Sequence, residues 1–220
     1  MDRSGILAWV KAERLSLADF LDDLDDHEWQ RDSLCAGWTV HDVAAHMTLS
    51  TRSTFLGTIK GAIRARGNWN RMEAGLARDR AAVFGPAELI AQLRETAGSA
   101  HRAPLSSRWD PLVDALVHGQ DVARPLGRER EMPAEQTVAA LEHVLASPFY
   151  GARKRLAGTR LVATDREWAA GKGQDEMRGP TGELLLLATG RAAGLAGVCG
   201  PGAERIAAVL RVSEPKNVTR

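Results

Sequence analysis

Asp110-Pro111-Leu112-Val113-Asp114-Ala115-Leu116-Val117-His118-Gly119-Gln120-Asp121 is the stretch from which the rest of the chain is read. Wound as an α-helix at about 100° per residue, Asp114, His118 and Asp121 fall at about 0°, 40° and −20° and form one polar stripe. Leu112, Val113, Leu116 and Val117 lie beside that stripe, so the helix can enter a core while presenting a carboxylate and an imidazole inward. An Asp-x-x-x-His pair supplies an oxygen and a nitrogen from adjacent turns, a donor pair suited to Zn²⁺ and other divalent transition ions. The bland reading is a solvated helix face with an ordinary Asp–His contact one turn apart. Spacing alone does not exclude it, because a site needs a third ligand from elsewhere.

The search for that ligand leads to Gly37-Trp38-Thr39-Val40-His41-Asp42-Val43-Ala44-Ala45-His46-Met47. Thr39 followed three residues later by Asp42 reads as a capping box that starts a helix. Val40, Val43, Met47, Thr54, Thr58 and Ala62 then continue one face to about Arg64. His41 and His46 are separated by about 140° around that helix, so one ion cannot take both. His41, in the first turn, reads as wet, and His46, deeper, as the better candidate.

Other helices follow from the same periodicity. Ile6, Val10, Leu17, Phe20, Leu21 and Leu24 mark a first helix over about 6–24 that should end at the acidic run Asp22-Asp23-Leu24-Asp25-Asp26, where the helix dipole disfavours carboxylates. Residues 65–85, with Gly67, Asn68, Asn70, Gly75 and Gly85, read as a mixed segment with several chain reversals and some helix. Pro86 starts a helix on Leu89, Ile90, Leu93 and Ala97; Pro125 and Gly127 close the Asp114/His118 helix; Pro133 opens another to about Leu145. Beyond Pro148 the pattern becomes short and alternating. Strands are expected at 159–164, 167–169 and 175–178, an apolar helix at 183–189, a strand within 194–199 and a last helix at 203–210. The fold class is therefore α+β: a helical N-terminal domain over 1–148 and a small α/β domain over 149–220.

Composition narrows the function. The 29 Lys and Arg balance 28 Asp and Glu, which leaves no basic field for nucleic acid or an anionic membrane. The segment after Met1 is amphipathic and no run of 18 apolar residues occurs, so a soluble, cytoplasmic chain is expected. Cys35 and Cys199 have no metal-type or disulfide-type spacing, and Cys35 reads as a small buried hydrophobe. Trp38, Trp69 and Trp109 read as core.

Taken in order, Gly37-Trp38-Thr39-Val40 with His46, the Asp114/His118/Asp121 stripe, Thr164-Asp165-x-x-Trp168, Gly179-Pro180-x-Gly182-Glu183-Leu184-Leu185-Leu186 and Gly190-Arg191 resemble the mycothiol-dependent maleylpyruvate isomerase family. That resemblance implies a DinB-like metal-binding four-helix bundle followed by a small α/β domain. It implies a divalent metal, zinc, held by His46, Asp114 and His118, with mycothiol binding nearby as cofactor thiol. The family's carboxylate on the Asp114 helix is often Glu, one methylene longer. The resemblance also gives Asp121 a catalytic supporting role, fixing an imidazole tautomer or contacting the ion through water, and makes Arg191 a clamp for a substrate or cofactor carboxylate. A simple cap on the preceding helix is the equal alternative for Arg191. The activity implied is a mycothiol-dependent transferase or isomerase acting on a small electrophile, in a monomer or homodimer; the alternative is a non-catalytic metal- or small-molecule-binding protein of the same fold.

Overall fold

The computed structural model describes residues 3–52, 69–102 and 106–213. They separate into two compact units, Met1–Glu131 and Met132–Arg220. The chain is mostly helical with one small sheet, as the α+β reading expects.

In the first unit α1 spans Arg3–Asp22, α2 Asp26–Trp29, α3 Val40–Arg52, α4 Trp69–Ala81, α5 Pro86–Thr96 and α6 Asp110–Ala123. α1 packs on α5 and α6, α3 packs on the same two helices, and α4 lies along α3. The apolar positions read from the sequence are the ones buried: Ile6, Val10, Leu17 and Leu21 from α1, Val40, Val43 and Met47 from α3, and Leu89, Ile90 and Leu93 from α5. α1 stops at the acidic run, where Asp25 caps α2: its carboxylate accepts from the Glu28 amide at 2.8 Å while Glu28 accepts from the Asp25 amide at 3.0 Å. The Thr39 box forms as well, with Thr39 N donating to Asp42 Oδ2 at 2.9 Å and Asp42 N donating to Thr39 Oγ1 at 3.2 Å. The expected continuation of α3 to Arg64 lies outside the described residues.

The mixed segment expected over 65–85 is instead largely α4, a continuous 13-residue helix. Gly75 sits within it without ending it, and Met72 and Ala77 are its buried residues. Packing on α3 outweighs the propensity cost of one glycine, about 1 kcal/mol. α6 ends where Pro125 and Gly127 place it: a 3₁₀ turn over Arg124–Leu126 runs into Gly127 at φ 66°, a left-handed cap that glycine adopts without strain.

The second unit contains α7 (Ala134–Ala146), α8 (Ala152–Arg155), β1 (Thr159–Ala163), β2 (Ala169–Ala170), β3 (Asp175–Gly179), α9 (Thr181–Ala188) and α10 (Pro201–Ser213). The sequence reading drew the break after residue 148, but α7 packs on α9 and lies within the second unit. In the sheet, order β2-β1-β3, β1 pairs antiparallel with β2 (Leu161 opposite Ala170) and parallel with β3 (Leu161 opposite Met177). α10 lies on β3 through Gly202, where any Cβ would come within 2.8 Å of the Thr159 methyl and 2.9 Å of the Asp175 carbonyl. The stretch 194–199 is not a strand: Ala192–Gly197 form a 3₁₀ helix, and Cys199 makes only an isolated bridge to Arg178. Asp165 accepts from the Thr181 amide at 3.1 Å and the Thr181 hydroxyl at 2.8 Å, anchoring the start of α9. No helix among the described residues is long and apolar enough to cross a membrane.

Candidate metal centre

α3 and α6 carry His46 and His118 to one place in the first unit. Their ring centroids are 5.0 Å apart and the planes cross at 70°. Trp38, buried, stands edge-on to His46 at 5.3 Å, so this tryptophan is both core and wall. His41 belongs to a different contact: its Nε2 is 2.9 Å from the Phe84 carbonyl and its ring meets Trp29 edge-on at 5.7 Å. It is half-buried and hydrogen-bonded, which corrects the expectation that it is wet.

Each imidazole meets a carboxylate at its Nδ1. For His118 this is Asp121, one turn on, with Oδ2 at 2.9 Å and the side chain fully buried. For His46 it is Glu73 of α4, with Oε2 at 3.2 Å from a buried Nδ1, an ion-pair distance without hydrogen-bond alignment. At His118, a proton held on Nδ1 by Asp121 leaves the lone pair of the neutral imidazole on Nε2.

Asp114 lies one turn before His118, and burial is what dominates its behaviour. Desolvation pushes its carboxyl above the usual range; the charges of His118 and His46 pull it back, and those of Asp110 and Glu73 push it further up. Among the described residues, no hydrogen bond or ion pair reaches this carboxylate. Such a group is costly to bury unless something positive meets it. A buried cation of α1, Arg14, feels the charge of Asp114; its guanidinium donates to the carbonyls of Ala97 at 3.2 Å and Ser99 at 3.1 Å. Burial lowers the Arg14 pKa and the charge of Asp114 raises it in return.

Cys35 joins this cluster against the sequence expectation. Its thiol donates to the same Asp121 Oδ2 at 3.2 Å and lies 3.7 Å from His118 Nδ1. The loop that carries it is fixed by three backbone bonds: Ser33 N to Trp38 O, Trp38 N to Cys35 O and Leu34 N to Asp121 O, each 2.9 Å. Cys35, His118 and Asp121 therefore bring three potential ligand atoms within 4.8 Å of one another. His118 is shared by two candidate sets: the first, His46, Asp114 and His118 as expected from the sequence, is not among the described groups with ligand atoms within 4.8 Å of one another, and the second, with Cys35 and Asp121, is. In the second set a single carboxylate oxygen already takes both protons, so the trio is satisfied as a hydrogen-bond network. The first set offers two imidazoles and a carboxylate with no hydrogen bond or ion pair among the described residues, donor types that suit a divalent transition ion.

Glu73 and Cys35 were beyond the sequence. Neither has a periodic relation to His46 or His118, and Glu73 sits in a segment whose Gly and Asn residues read as reversals. Its signal was the Met72–Leu76 spacing on either side, faint over so short a stretch.

Arg191, in the second unit, follows α9. Its Nη1 donates to the Thr189 carbonyl at 3.0 Å, and Arg155 donates to the Ala188 carbonyl at 2.6 Å, so two guanidinium groups gather at the carboxyl end of that helix. Burial first, and the charge of Arg191 second, hold the Arg155 pKa down.

The architecture has counterparts among known proteins. A crystal structure of a mycothiol-dependent maleylpyruvate isomerase superposes with a TM-score of 0.61 at 15% identity, covering 91% of this chain and 93% of that one. That of a histidine-to-alanine variant of a mycothiol-dependent maleylpyruvate isomerase gives 0.60 at 13% identity with the same coverage. No curated protein sequence matches significantly. The family described as the mycothiol maleylpyruvate isomerase N-terminal domain matches residues 10–123, just over half of the chain. That span holds α3, α6 and all the residues gathered around His46 and His118, and on it the chain belongs to the mycothiol maleylpyruvate isomerase N-terminal domain family.

Proposed function

We propose that this protein is a metal-dependent enzyme that uses mycothiol, a low-molecular-weight thiol, as S-transferase or isomerase on a small electrophilic substrate. One observation carries the reading: Asp114 is desolvated, takes no hydrogen bond or ion pair among the described residues, and feels the charges of His118 and His46. A hydrogen-bond network would leave no reason for that arrangement, whereas a divalent cation would compensate it.

His46, Asp114 and His118 would hold the ion, and two nitrogens with one oxygen suit zinc. When bound, the ion supplies the Lewis acidity that favours the thiolate of a cofactor thiol, whose ordinary pKa is about 8.5. The protein's own groups prepare the place. Asp121 holds the Nδ1 proton of His118 and so keeps Nε2 a ligand; Trp38 closes one side of His46; Arg14 balances part of the negative charge of Asp114. Arg191, in the second unit, has fork-shaped donors of the kind that bind a carboxylate. The family relationship supports the thiol and the reaction class, and a shared scaffold hosts several substrates, so the electrophile is left as a class.

Metal analysis of protein purified without added ions is the test. About one divalent ion per chain is expected, falling below about a tenth in His46→Ala and in His118→Ala. Metal content unchanged in both variants overturns the ligand set. Titration calorimetry with mycothiol on the metal-loaded protein addresses the cofactor: saturable binding supports it, and absence of heat at every temperature tried removes it. Mass analysis after incubation with thiol and electrophile separates transfer, in which the product gains the thiol, from isomerisation, in which it does not.

A further inference from the structure

We infer that Glu73 is a positioning residue that orients His46 for metal binding, as the partner of Asp121 on the other imidazole. The inference rests on the ligand set proposed above and assigns a residue on a separate helix to the same centre.

Its basis is a correspondence between two contacts. Asp121 and His118 are three residues apart on one helix, so their 2.9 Å contact has a local explanation. Glu73 and His46 have none: they come from α4 and α3, and the carboxylate crosses the gap between helices to reach within 3.2 Å of Nδ1. Glu73 is a quarter exposed, so solvent is open to it, whereas Nδ1 of His46 is buried. The contact thus serves the imidazole more than the carboxylate. A neutral imidazole carries one N–H, and the negative charge beside Nδ1, 3.2 Å away without an aligned hydrogen bond, favours the proton there and the lone pair on Nε2. The ring also has little freedom to swing, with Trp38 edge-on at 5.3 Å and His118 at 5.0 Å. α4 contributes Met72 and Ala77 to the core, which fixes the helix independently of Glu73. Removing the carboxylate therefore acts on His46 rather than on the packing of α4.

The experiment compares Glu73→Ala, Glu73→Gln and His46→Ala with the full-length wild-type chain. Zinc affinity is read by competition with a chelator of known affinity, and the Co²⁺-substituted visible spectrum reports ligand geometry. Glu73→Ala is expected to weaken zinc binding about 10- to 100-fold and to shift the cobalt bands, the usual consequence of removing a carboxylate behind a ligating histidine. Glu73→Gln keeps an oxygen that can accept from Nδ1–H and is expected to recover most of the affinity and the wild-type spectrum, a rescue that a merely structural role would not produce. Thermal unfolding of the metal-free proteins is expected to stay close to wild type. Should Glu73→Ala and Glu73→Gln both bind zinc as the wild type does, with the cobalt spectrum unmoved, while His46→Ala has lost the ion, the inference about Glu73 is wrong and the ligand set stands. Retention of zinc by His46→Ala overturns the ligand assignment itself, and with it the role given to Glu73.

Discussion

Asp121 Oδ2 accepts from His118 Nδ1 at 2.9 Å and from Cys35 Sγ at 3.2 Å, so one buried oxygen holds both a candidate metal ligand and a thiol that stands beside it. Replacing Cys35 tests which of them the ion would use. Cys35→Ser keeps a donor to Asp121 and is expected to leave the zinc stoichiometry at one and the affinity within about threefold of wild type. Cys35→Ala removes one hydrogen bond to a charged group, expected to cost about 1.5–3 kcal/mol of stability by chemical denaturation, again with zinc retained. Loss of zinc from both variants would move Cys35 from support into the ligand set.

The charge of the Asp121 carboxylate has no substitute in asparagine. Asp121→Asn can set its one carbonyl oxygen where Oδ2 now accepts from both His118 and Cys35, but it is neutral and carries an NH₂ in place of the second oxygen, so it holds the Nδ1 proton less strongly. Zinc affinity is expected to fall about 10- to 100-fold in chelator competition. Wild-type affinity would show that the tautomer of His118 is set by something else.

Asp114 predicts a pH dependence with a definite sign. Its folded pKa is raised by burial above the unfolded carboxyl value of about 3.9, so the folded state holds more protons in that window. The metal-free protein is therefore expected to lose stability as pH rises from about 4 through the raised value, and to lose no more from this group above it. Asp114→Asn removes that slope and is expected to stabilise the metal-free protein at neutral pH while abolishing tight zinc binding. Denaturant titrations at several pH values, with chelator and with zinc, measure both. A parallel slope in Asp114→Asn would assign the dependence to another group.

Much of this arrangement was legible before any coordinates. Ile6, Val10, Leu17 and Leu21 recur at helical spacing and are buried, and the Thr39–Asp42 box forms atom for atom. Such features are local: a period of 3.6 or a three-residue cap is written in consecutive residues. The charges at positions 28 and 128 show the limit. Glu28, just past the acidic run that ends the first helix, is bound by the Arg128 guanidinium at 2.7 Å, across a hundred residues. Glu73 and Cys35 were missed for the same reason, since each meets its histidine only through packing between separate segments. The 194–199 stretch failed differently. Its small residues suit an extended chain, but Gly194 packs with any Cβ position 2.7 Å from the Glu183 carbonyl, and that close seat on α9 favours a 3₁₀ turn.

Arg191 separates a cap from a clamp by which quantity its loss moves. Its guanidinium donates to the Thr189 carbonyl just past α9, and Arg155 shares that helix end, so removing one of the two cations costs little stability. Arg191→Lys retains the charge and is expected to change stability by less than about 1 kcal/mol, the scale of a cation at a helix carboxyl terminus. If the fork binds a carboxylate, Arg191→Lys nonetheless loses bidentate geometry, and KM for a carboxylate-bearing electrophile is expected to rise about tenfold or more with zinc content unchanged. Arg155→Lys, whose donors go to the Tyr150 and Ala188 carbonyls, is expected to leave KM near wild type. Steady-state kinetics on the two variants decide the matter: equal KM values in both would leave Arg191 as a cap and nothing more.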